Sequence, residues 1–548
     1  MAKKLSPDSR PTTYPGKPDM QKTTQQKTTP QKKLLWIDDE IATLKPHILF
    51  LEGKGYAVTG CSSGEEGIDL VRRERFDLAL LDEMMPGMDG LTTLERLKEI
   101  SPHLPVVMVT KSEEETLMEE AIGQKIDDYL TKPLNPSQAL MAIKRILDSR
   151  KIRADALTKR YITDINRFNQ KLYGALEPED WYEAASILTE WDLELSEFPD
   201  TGLWHTHDGS HSEWNVEFTK YIEKNYSKWL NQPFQRGVRP LLPPDIISET
   251  LIPEMRDSER VTFVVVDCMR LDQWAAIEPA LADYFDIERR HCYSLLPTAT
   301  PYARNALFSG MFPDEIHERW PDIWQADDKG SLNRFEEEMI NVALKNRNAL
   351  PKSGVKYAKV FNNAEMDTLY RKISEFYTRE FSTIVVNFLD IMSHGRSSNM
   401  ILKEIAGNES AYRSVTVSWF THSSLFKALK DFAAHGHTVI ITTDHGSKLC
   451  HRGALAHGKK DTSTTLRYKY GDNLNCDPKQ GIIVRNPEEY RLPKPRLATT
   501  YLIAKEDYYF VYPNRYNEHV RQFQNSFQHG GISLEEMIIP LAILKPRK

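Results

Sequence analysis

Two groups of polar residues carry side chains suited to phosphoryl chemistry. In the first, Asp38 and Asp39 follow the apolar run LLWI, Asp82 closes FDLALLD, Thr110 closes VVMVT and Lys132 follows YLT. If those runs are parallel strands, all of these side chains emerge along the carboxyl edge of one sheet, where open α/β sheets bind ligands. Carboxylates gathered there repel one another unless a cation intervenes. Mg²⁺ suits the place, because it takes oxygen ligands and keeps positions for water and phosphate. One carboxylate can then attack a phosphoryl donor. A lysine can pair with the new phosphate, and a threonine hydroxyl can sense it through a hydrogen bond.

The second group lies in the C-terminal half. VTFVVVD ends at Asp267, STIVVNFLD at Asp390 and HTVIITTD at Asp444, so each aspartate is expected at a strand end. Histidines accompany them: His394 four residues after Asp390, His445 directly after Asp444, and His529 in QHGGIS. Mixed carboxylate and imidazole ligands favour Zn²⁺ or Mn²⁺ over Mg²⁺. Six such ligands divide into two sets of three with open positions, the layout of a catalytic metal pair. The segment LLPTATPYARNALFSG offers two hydroxyls, Thr298 and Thr300, where a loop enters a helix whose amides favour anions. A metal beside such a hydroxyl lowers its pKa and yields a nucleophile at neutral pH. Arg304, one helical turn beyond Thr300, is placed to clamp a phosphate oxygen. His451, six residues after His445, is a weaker candidate for the same pocket.

The elements that must hold these groups are legible in the pattern. From Leu34 to about Arg150, short apolar runs alternate with amphipathic stretches, the rhythm of a parallel α/β sheet. Residues 151–235 contain no convincing strand, and with the linker that follows they make a helical segment over 151–250. Tyr161, Ile165, Phe168 and Leu172 fall at helical spacing, as do Trp181, Ala184, Leu188, Trp191 and Leu195. Five of the ten tryptophans lie between 181 and 229, which predicts a helical bundle with an aromatic core. The Pro-rich stretch 232–245 reads as a linker. A second α/β segment fills 251–548. Its late part (LRYKY, KYGDNLN, YYFVYP) is rich in Tyr, Lys and Arg, which fits either a wall for stacking bases or surface tyrosines on an ordinary insertion.

Composition narrows the function classes. The 548 residues carry 71 Lys+Arg against 78 Asp+Glu, a net charge of −7. Residues 1–33 hold eight basic and two acidic side chains and almost no large apolar ones, so they read as a disordered basic leader and the rest of the chain is the more acidic. That balance, and the lack of a basic recognition-helix pattern after about residue 150, argue against a DNA-binding function. No apolar run reaches membrane-spanning length, so no membrane insertion is expected. Five widely spaced cysteines without a CxxC pair exclude a disulfide scaffold and fit the reducing cytoplasm.

Over residues 34–150 the DD pair, the LLDEMMPGMDG stretch, the VT pair and the KP dipeptide resemble the response-regulator receiver family. The resemblance implies a flavodoxin-like doubly wound fold, Asp82 as the residue phosphorylated by a sensor histidine kinase, and Mg²⁺ held by Asp38, Asp39 and Asp82. It also implies Thr110 and Tyr129 as switch residues, Lys132 as the phosphate partner and a cis bond before Pro133. The DIMSH, TTDHG and HGG pieces resemble the alkaline phosphatase superfamily, and within it the PglZ domain. That resemblance implies two Zn²⁺ per chain, one on Asp390, His394 and His529, the other on Asp267, Asp444 and His445, with the nucleophile between them. The superfamily nucleophile precedes a small-residue–Gly pair by ten positions, the separation of Thr300 from Gly310 but not that of Thr298. In the sulfatase relatives an arginine also stands where Arg304 does. A threonine resembles the phosphodiesterase branch, which implies nucleotide or oligonucleotide diesters as substrates.

The order of receiver, all-α helical bundle linker and alkaline-phosphatase-like α/β domain resembles response regulators associated with type IX secretion. It implies homodimerisation on phosphorylation and a sigma-factor or secretion-component partner. The competing expectation is a phosphorylation-controlled interaction scaffold with structural metals.

Overall fold

The computed structural model describes residues 31–111, 126–198, 202–324, 333–395, 407–458, 465–513 and 516–547; residues 1–30 of the expected leader lie outside the described residues. The chain divides into two units, Met1–Ala156 and Leu157–Lys548.

In the first unit, strands β1 (Lys32–Ile37), β2 (Tyr56–Cys61), β3 (Leu78–Asp82), β4 (Val106–Thr110) and β5 (Asp128–Thr131) form a five-stranded sheet in the order β2-β1-β3-β4-β5. All of its pairings are parallel. Every residue from Leu34 to Ile37 and from Leu78 to Leu81 is fully buried, because helices cover both faces of such a sheet and leave no polar side to alternate with. β1 and β3 are neighbours at the point where the strand order reverses, and Ile37 pairs with Leu81. Asp38 and Asp82, one residue further on, therefore come level at the carboxyl edge. The helix Gly90–Ile100 is capped by Asp89, which accepts from the Thr92 amide at 2.8 Å. Its first residue must be small, since a Cβ on Gly90 would lie 2.3 Å from the carbonyl oxygen of Asp82.

The second unit opens with the helical region. From Leu157 the helix Pro136–Lys171 packs with the helices Pro178–Glu197 and Trp204–Leu230. The expected aromatic core is present: Phe168 meets Trp214 at 4.4 Å between ring centroids, Trp181 meets Phe218 at 5.2 Å and Tyr161 meets Trp191 at 5.1 Å. The buried indole of Trp214 donates to Asn169 at 2.7 Å. Residues 232–245 are not a loose linker. Arg239 is buried and pairs with both oxygens of Asp245 at 2.7 and 2.8 Å, and Leu242 is fully buried. The bundle shares one continuous apolar core with the α/β region, which runs from Leu157 to Ile543, so the two are a single packed body.

The α/β region is built on a six-stranded sheet. β6 (Val261–Val266), β7 (Phe285–Tyr293), β8 (Lys356–Val360), β9 (Phe381–Val386), β10 (Thr438–Thr442) and the C-terminal strand Ile538–Pro546 lie in the order β7, C-terminal strand, β10, β6, β9, β8. β10, β6, β9 and β8 are parallel, and the C-terminal strand is antiparallel to both of its neighbours. Asp267 and Asp444 leave the carboxyl ends of the adjacent strands β6 and β10, as expected. Asp390 does not end a strand. β9 stops at Val386, and Asp390 sits in the first turn of the helix Phe388–Gly395, one turn before His394. The i, i+4 spacing of Asp390 and His394 therefore puts both on one helix face.

Because bundle and sheet share their core, Trp214→Ala is expected to cost about 3–5 kcal/mol and to lower the stability of the whole second unit in one denaturant transition, followed by far-UV circular dichroism. A separate early transition confined to helical signal would contradict the shared core.

Candidate active site

The receiver edge assembles around Lys132. Its ammonium lies 3.0 Å from Asp38 Oδ2 and 2.9 Å from Asp82 Oδ2. Both aspartates are buried, whereas Asp39 is exposed at the rim. One oxygen from each of Asp38, Asp39 and Asp82 lies within 4.8 Å of the others, a donor set that fits Mg²⁺. Burial pushes the Asp82 carboxyl up from its usual value, and the Asp38 charge adds to the rise while the Lys132 bond opposes it. Burial works to lower the Lys132 ammonium, yet its bonds to Asp82 and Asp38 outweigh that and raise it. Thr110 is buried at the end of β4, where its carbonyl accepts from the Lys132 amide at 2.7 Å. Tyr129 is 43% exposed on β5, so its ring is outside the core. The Lys132–Pro133 bond is cis.

In the second unit the crevice above β6, β9 and β10 gathers all six expected ligands. Nε2 of His394 and Nε2 of His529 face each other at 2.9 Å, with Asp390 Oδ1 at 3.3 and 3.4 Å from them. His445 Nε2 lies 3.8 Å from Asp267 Oδ1 and 3.7 Å from Asp444 Oδ2. Each trio brings its ligand atoms within 4.8 Å of one another.

Hydrogen bonds to the outward atoms of these side chains orient the inward ones. His529 Nδ1 bonds the Thr298 carbonyl at 3.2 Å, and His445 Nδ1 bonds the Gly446 carbonyl at 3.0 Å. A carbonyl only accepts, so both protons sit on Nδ1 and both Nε2 atoms present lone pairs to the crevice, the arrangement found around ligating histidines. Asp444 Oδ1 accepts from the His445 amide at 3.1 Å, and Asp267 Oδ2 from Arg304 at 2.6 Å. Among the described residues, Asp267 Oδ1, Asp390 Oδ1 and Asp444 Oδ2 are left buried without a hydrogen-bond partner. Such orphans are costly unless a cation meets them. Three inward-facing oxygens, two of them on fully enclosed carboxylates, and three imidazole nitrogens fit a pair of divalent ions. Burial drives the Asp267 carboxyl well up, against the Arg304 charge and with the help of Asp444.

The two threonines separate by geometry. Thr298 is fully buried; its hydroxyl donates to the Gly531 carbonyl at 2.8 Å and accepts from the Gly530 amide at 3.0 Å. It fastens the loop that carries His529. That loop needs its glycines: Gly530 has φ +118°, and a Cβ on Gly531 would meet the Arg467 guanidinium at 2.4 Å. Thr300 instead begins the helix Thr300–Ser309 and places its hydroxyl 3.1 Å from His445 Nε2, beside the metal-type ligands.

Arg304 is not placed as the phosphate clamp that its spacing predicts. It is buried, with Nη1 on Asp267 at 2.6 Å and Asn387 at 2.8 Å, and Nε on Glu336 at 2.7 Å. Low permittivity around two carboxylates holds the guanidinium there. Glu336 also receives Tyr357 Oη at 2.5 Å and Lys359 Nζ at 3.1 Å. The sequence gives no sign of Glu336, which comes from the helix Glu336–Asn346; Asn387, a polar residue directly after β9, is the one signal that was available. His451 lies off the crevice and bonds Asn525 at 2.8 Å. Tyr468, Tyr501 and Tyr509 of the Tyr-rich stretch are buried and serve packing rather than an open stacking wall.

Family models agree with this division. Residues 34–144 match the response regulator receiver domain, residues 151–230 the PorX response regulator linker domain, and residues 247–544 the BREX system PglZ alkaline phosphatase-like domain. Among curated proteins the chain is similar to the alkaline phosphatase synthesis transcriptional regulatory protein PhoP of Bacillus subtilis (strain 168), at 34% identity over 125 residues, which is 22% of this chain and 51% of that protein. It is also similar to the transcriptional regulatory protein ResD of the same organism, at 32% identity over 119 residues, 22% of this chain and 49% of that protein. The chain thus spans about half the length of the curated relatives it matches. Among solved structures, a CheY-like response regulator receiver domain protein from Methanospirillum hungatei JF-1 is 32% identical, covering 22% of this chain and 98% of that one with a TM-score of 0.22. With the PglZ model spanning more than half of its length, the chain belongs to the PglZ alkaline phosphatase-like family, as a PorX-type response regulator in which a receiver, a PorX linker domain and a PglZ domain follow one another.

Proposed function

We propose that this response regulator is phosphorylated on Asp82 by a sensor histidine kinase and that its PglZ domain is a zinc-dependent phosphodiesterase acting on nucleotide or oligonucleotide diesters. The observation that carries the enzymatic reading is the Thr300 hydroxyl 3.1 Å from His445 Nε2, which itself lies 3.8 Å from Asp267 Oδ1 and 3.7 Å from Asp444 Oδ2. When bound, Zn²⁺ on Asp390, His394 and His529 and on Asp267, Asp444 and His445 would neutralise those oxygens and lower the pKa of the Thr300 hydroxyl, so that its proton passes to solvent. Thr300 Oγ1 then forms a bond to phosphorus while the P–O bond to the departing alcohol breaks and that alcohol takes a proton from water. Water hydrolyses the phosphothreonine and returns the hydroxyl. Thr298 holds the His529 loop, and Arg304 holds Asp267 in place. In the receiver, Lys132 would pair the new phosphate on Asp82, with Mg²⁺ on Asp38, Asp39 and Asp82, and Thr110 and Tyr129 would carry the change onward. Its outcome is homodimerisation, with type IX secretion as the regulated process and a sigma factor or secretion component as partner.

One observation favours a second reading, the interaction scaffold with structural metals: the engagement of Arg304 by Asp267, Asn387 and Glu336 leaves those guanidinium nitrogens committed within the protein. Hydrolysis of bis-nitrophenyl phosphate decides between the two.

Thr300→Ala is expected to lower kcat at least about 10³-fold with zinc content unchanged. Thr298→Ala is expected to cost about 1–3 kcal/mol of stability, read by chemical denaturation, because two buried groups lose their partner. Full activity in Thr300→Ala would refute the nucleophile assignment. Chelation should abolish hydrolysis and added Zn²⁺ restore it; turnover that survives metal removal would rule out the metal-dependent mechanism. Beryllofluoride is expected to double the sedimenting mass of the parent chain and leave Asp82→Asn monomeric, and an unchanged distribution in the parent would defeat the dimer switch.

A further inference from the structure

The helical region holds a histidine–carboxylate convergence that the catalytic reading does not use. His207 and His211 stand four residues apart on the helix Trp204–Leu230, so their rings share one face a single turn apart. Asp192 meets them from the neighbouring helix Pro178–Glu197. All three are buried, with exposures of 0%, 8% and 4% for His207, His211 and Asp192. Asp192 Oδ1 lies 3.2 Å from His207 Nε2 and 3.4 Å from His211 Nε2, and the three ligand atoms lie within 4.8 Å of one another.

Two independent features point to an occupant. His211 Nδ1 bonds Glu535 Oε1 at 3.1 Å, while its Nε2 is buried, turned toward Asp192 and, among the described residues, without a hydrogen-bond partner. A carboxylate on the far nitrogen is the arrangement that orients a ligating imidazole and keeps its lone pair inward. A cavity of about 20 Å³, lined among others by Asp192, His211, Asp272 and Glu535, opens beside it. That is room for one water-sized or ion-sized body.

The charges around the cavity leave one anion over. Arg270 pairs with Asp272 and Glu409, each at 2.8 Å, Arg413 with Asp272 at 2.9 Å, and Lys448 with Glu535 at 2.6 Å. Among the described residues these are three fixed cations against four carboxylates, counting Asp192, whose Oδ2 is 3.7 Å from Arg413.

We propose that Asp192, His207 and His211 form a further divalent transition-metal site, selective for Zn²⁺-type ions, separate from the catalytic residues. Two imidazoles and one carboxylate are the donor set that Zn²⁺ takes in a four-coordinate site, with the fourth position filled by water in the cavity. The ion would join the two long helices of the linker to Glu535. The next residue, Glu536, accepts from the Gly531 amide at 2.8 Å and so supports the loop that carries His529. The occupancy of this site would thereby help fix the linker against the catalytic loop. A proton on His211 is the competing occupant, since an imidazolium would also satisfy Asp192.

The test is zinc content of the full chain after dialysis against buffered free Zn²⁺, measured by inductively coupled plasma mass spectrometry. His211→Gln and, separately, His207→Gln are each expected to hold one Zn²⁺ fewer than the parent, whatever number the catalytic residues bind. Equal zinc in parent and variants would overturn the proposal in favour of the proton. An anomalous difference map of the unsubstituted, zinc-soaked chain needs no variant to fold. A peak within ligand distance of His207 Nε2 and His211 Nε2 supports the site; a map without one there overturns it.

Discussion

Three carboxylates crowded above one sheet set the terms for the C-terminal half of the molecule. Like charges about 4 Å apart repel by about 4 kcal/mol at the effective permittivity of a protein surface, and by more in the interior. Asp267 and Asp444 are held almost wholly out of water, each with an oxygen that has no hydrogen-bond partner among the described residues. Arg304 answers part of this charge through Asp267. The remaining oxygens and the inward nitrogens of His394, His445 and His529 form two donor sets of the kind that divalent cations take. The surroundings are arranged to keep those sets in place. The Gly446 and Thr298 carbonyls fix the tautomers of two histidines, the His445 amide fixes one oxygen of Asp444, and the Thr298 hydroxyl fastens the Gly530–Gly531 turn.

The receiver solves the same problem with a different cation. Its buried pair, Asp38 and Asp82, shares the Lys132 ammonium. The third carboxylate, Asp39, stays at the exposed rim, so the edge remains open to a phosphoryl donor. One polypeptide thus carries two acidic crevices, each at the carboxyl ends of parallel strands, one met by a lysine and the other in part by an arginine. The linker helices are not a passive spacer between them in sequence, because their aromatic core is continuous with that of the PglZ domain.

Much of this was legible before any coordinates, for identifiable reasons. Unbroken apolar runs such as LLWI and VTFVVV are buried on both faces, and in a parallel sheet the residue after each run must reach the carboxyl edge. That rule located Asp38, Asp82, Asp267 and Asp444. It misplaced Asp390, because NFLDIMSH reads as the tail of a strand when it is the first turns of a helix. Arg304 was read from its spacing and a likeness to sulfatases, neither of which can reveal that Glu336, supplied by a helix thirty-two residues later, competes for its guanidinium. The tyrosines of the late insertion were read as either a stacking wall or surface side chains, and several are neither, because composition does not distinguish a packed ring from a presented one. His207 and His211 escaped notice for a similar reason: in a polar helical stretch their shared face becomes meaningful only once Asp192 and Glu535 are seen to meet it.

The most direct test of the central claim is a crystal structure of the zinc-loaded full chain soaked with a non-hydrolysable dinucleotide. Two ions about 3.5–4 Å apart are expected, one on each ligand trio, with the bridging phosphorus facing Thr300 Oγ1 in line with the departing oxygen. A crevice that binds no ions under those conditions, or a phosphate seated away from Thr300, would contradict the account.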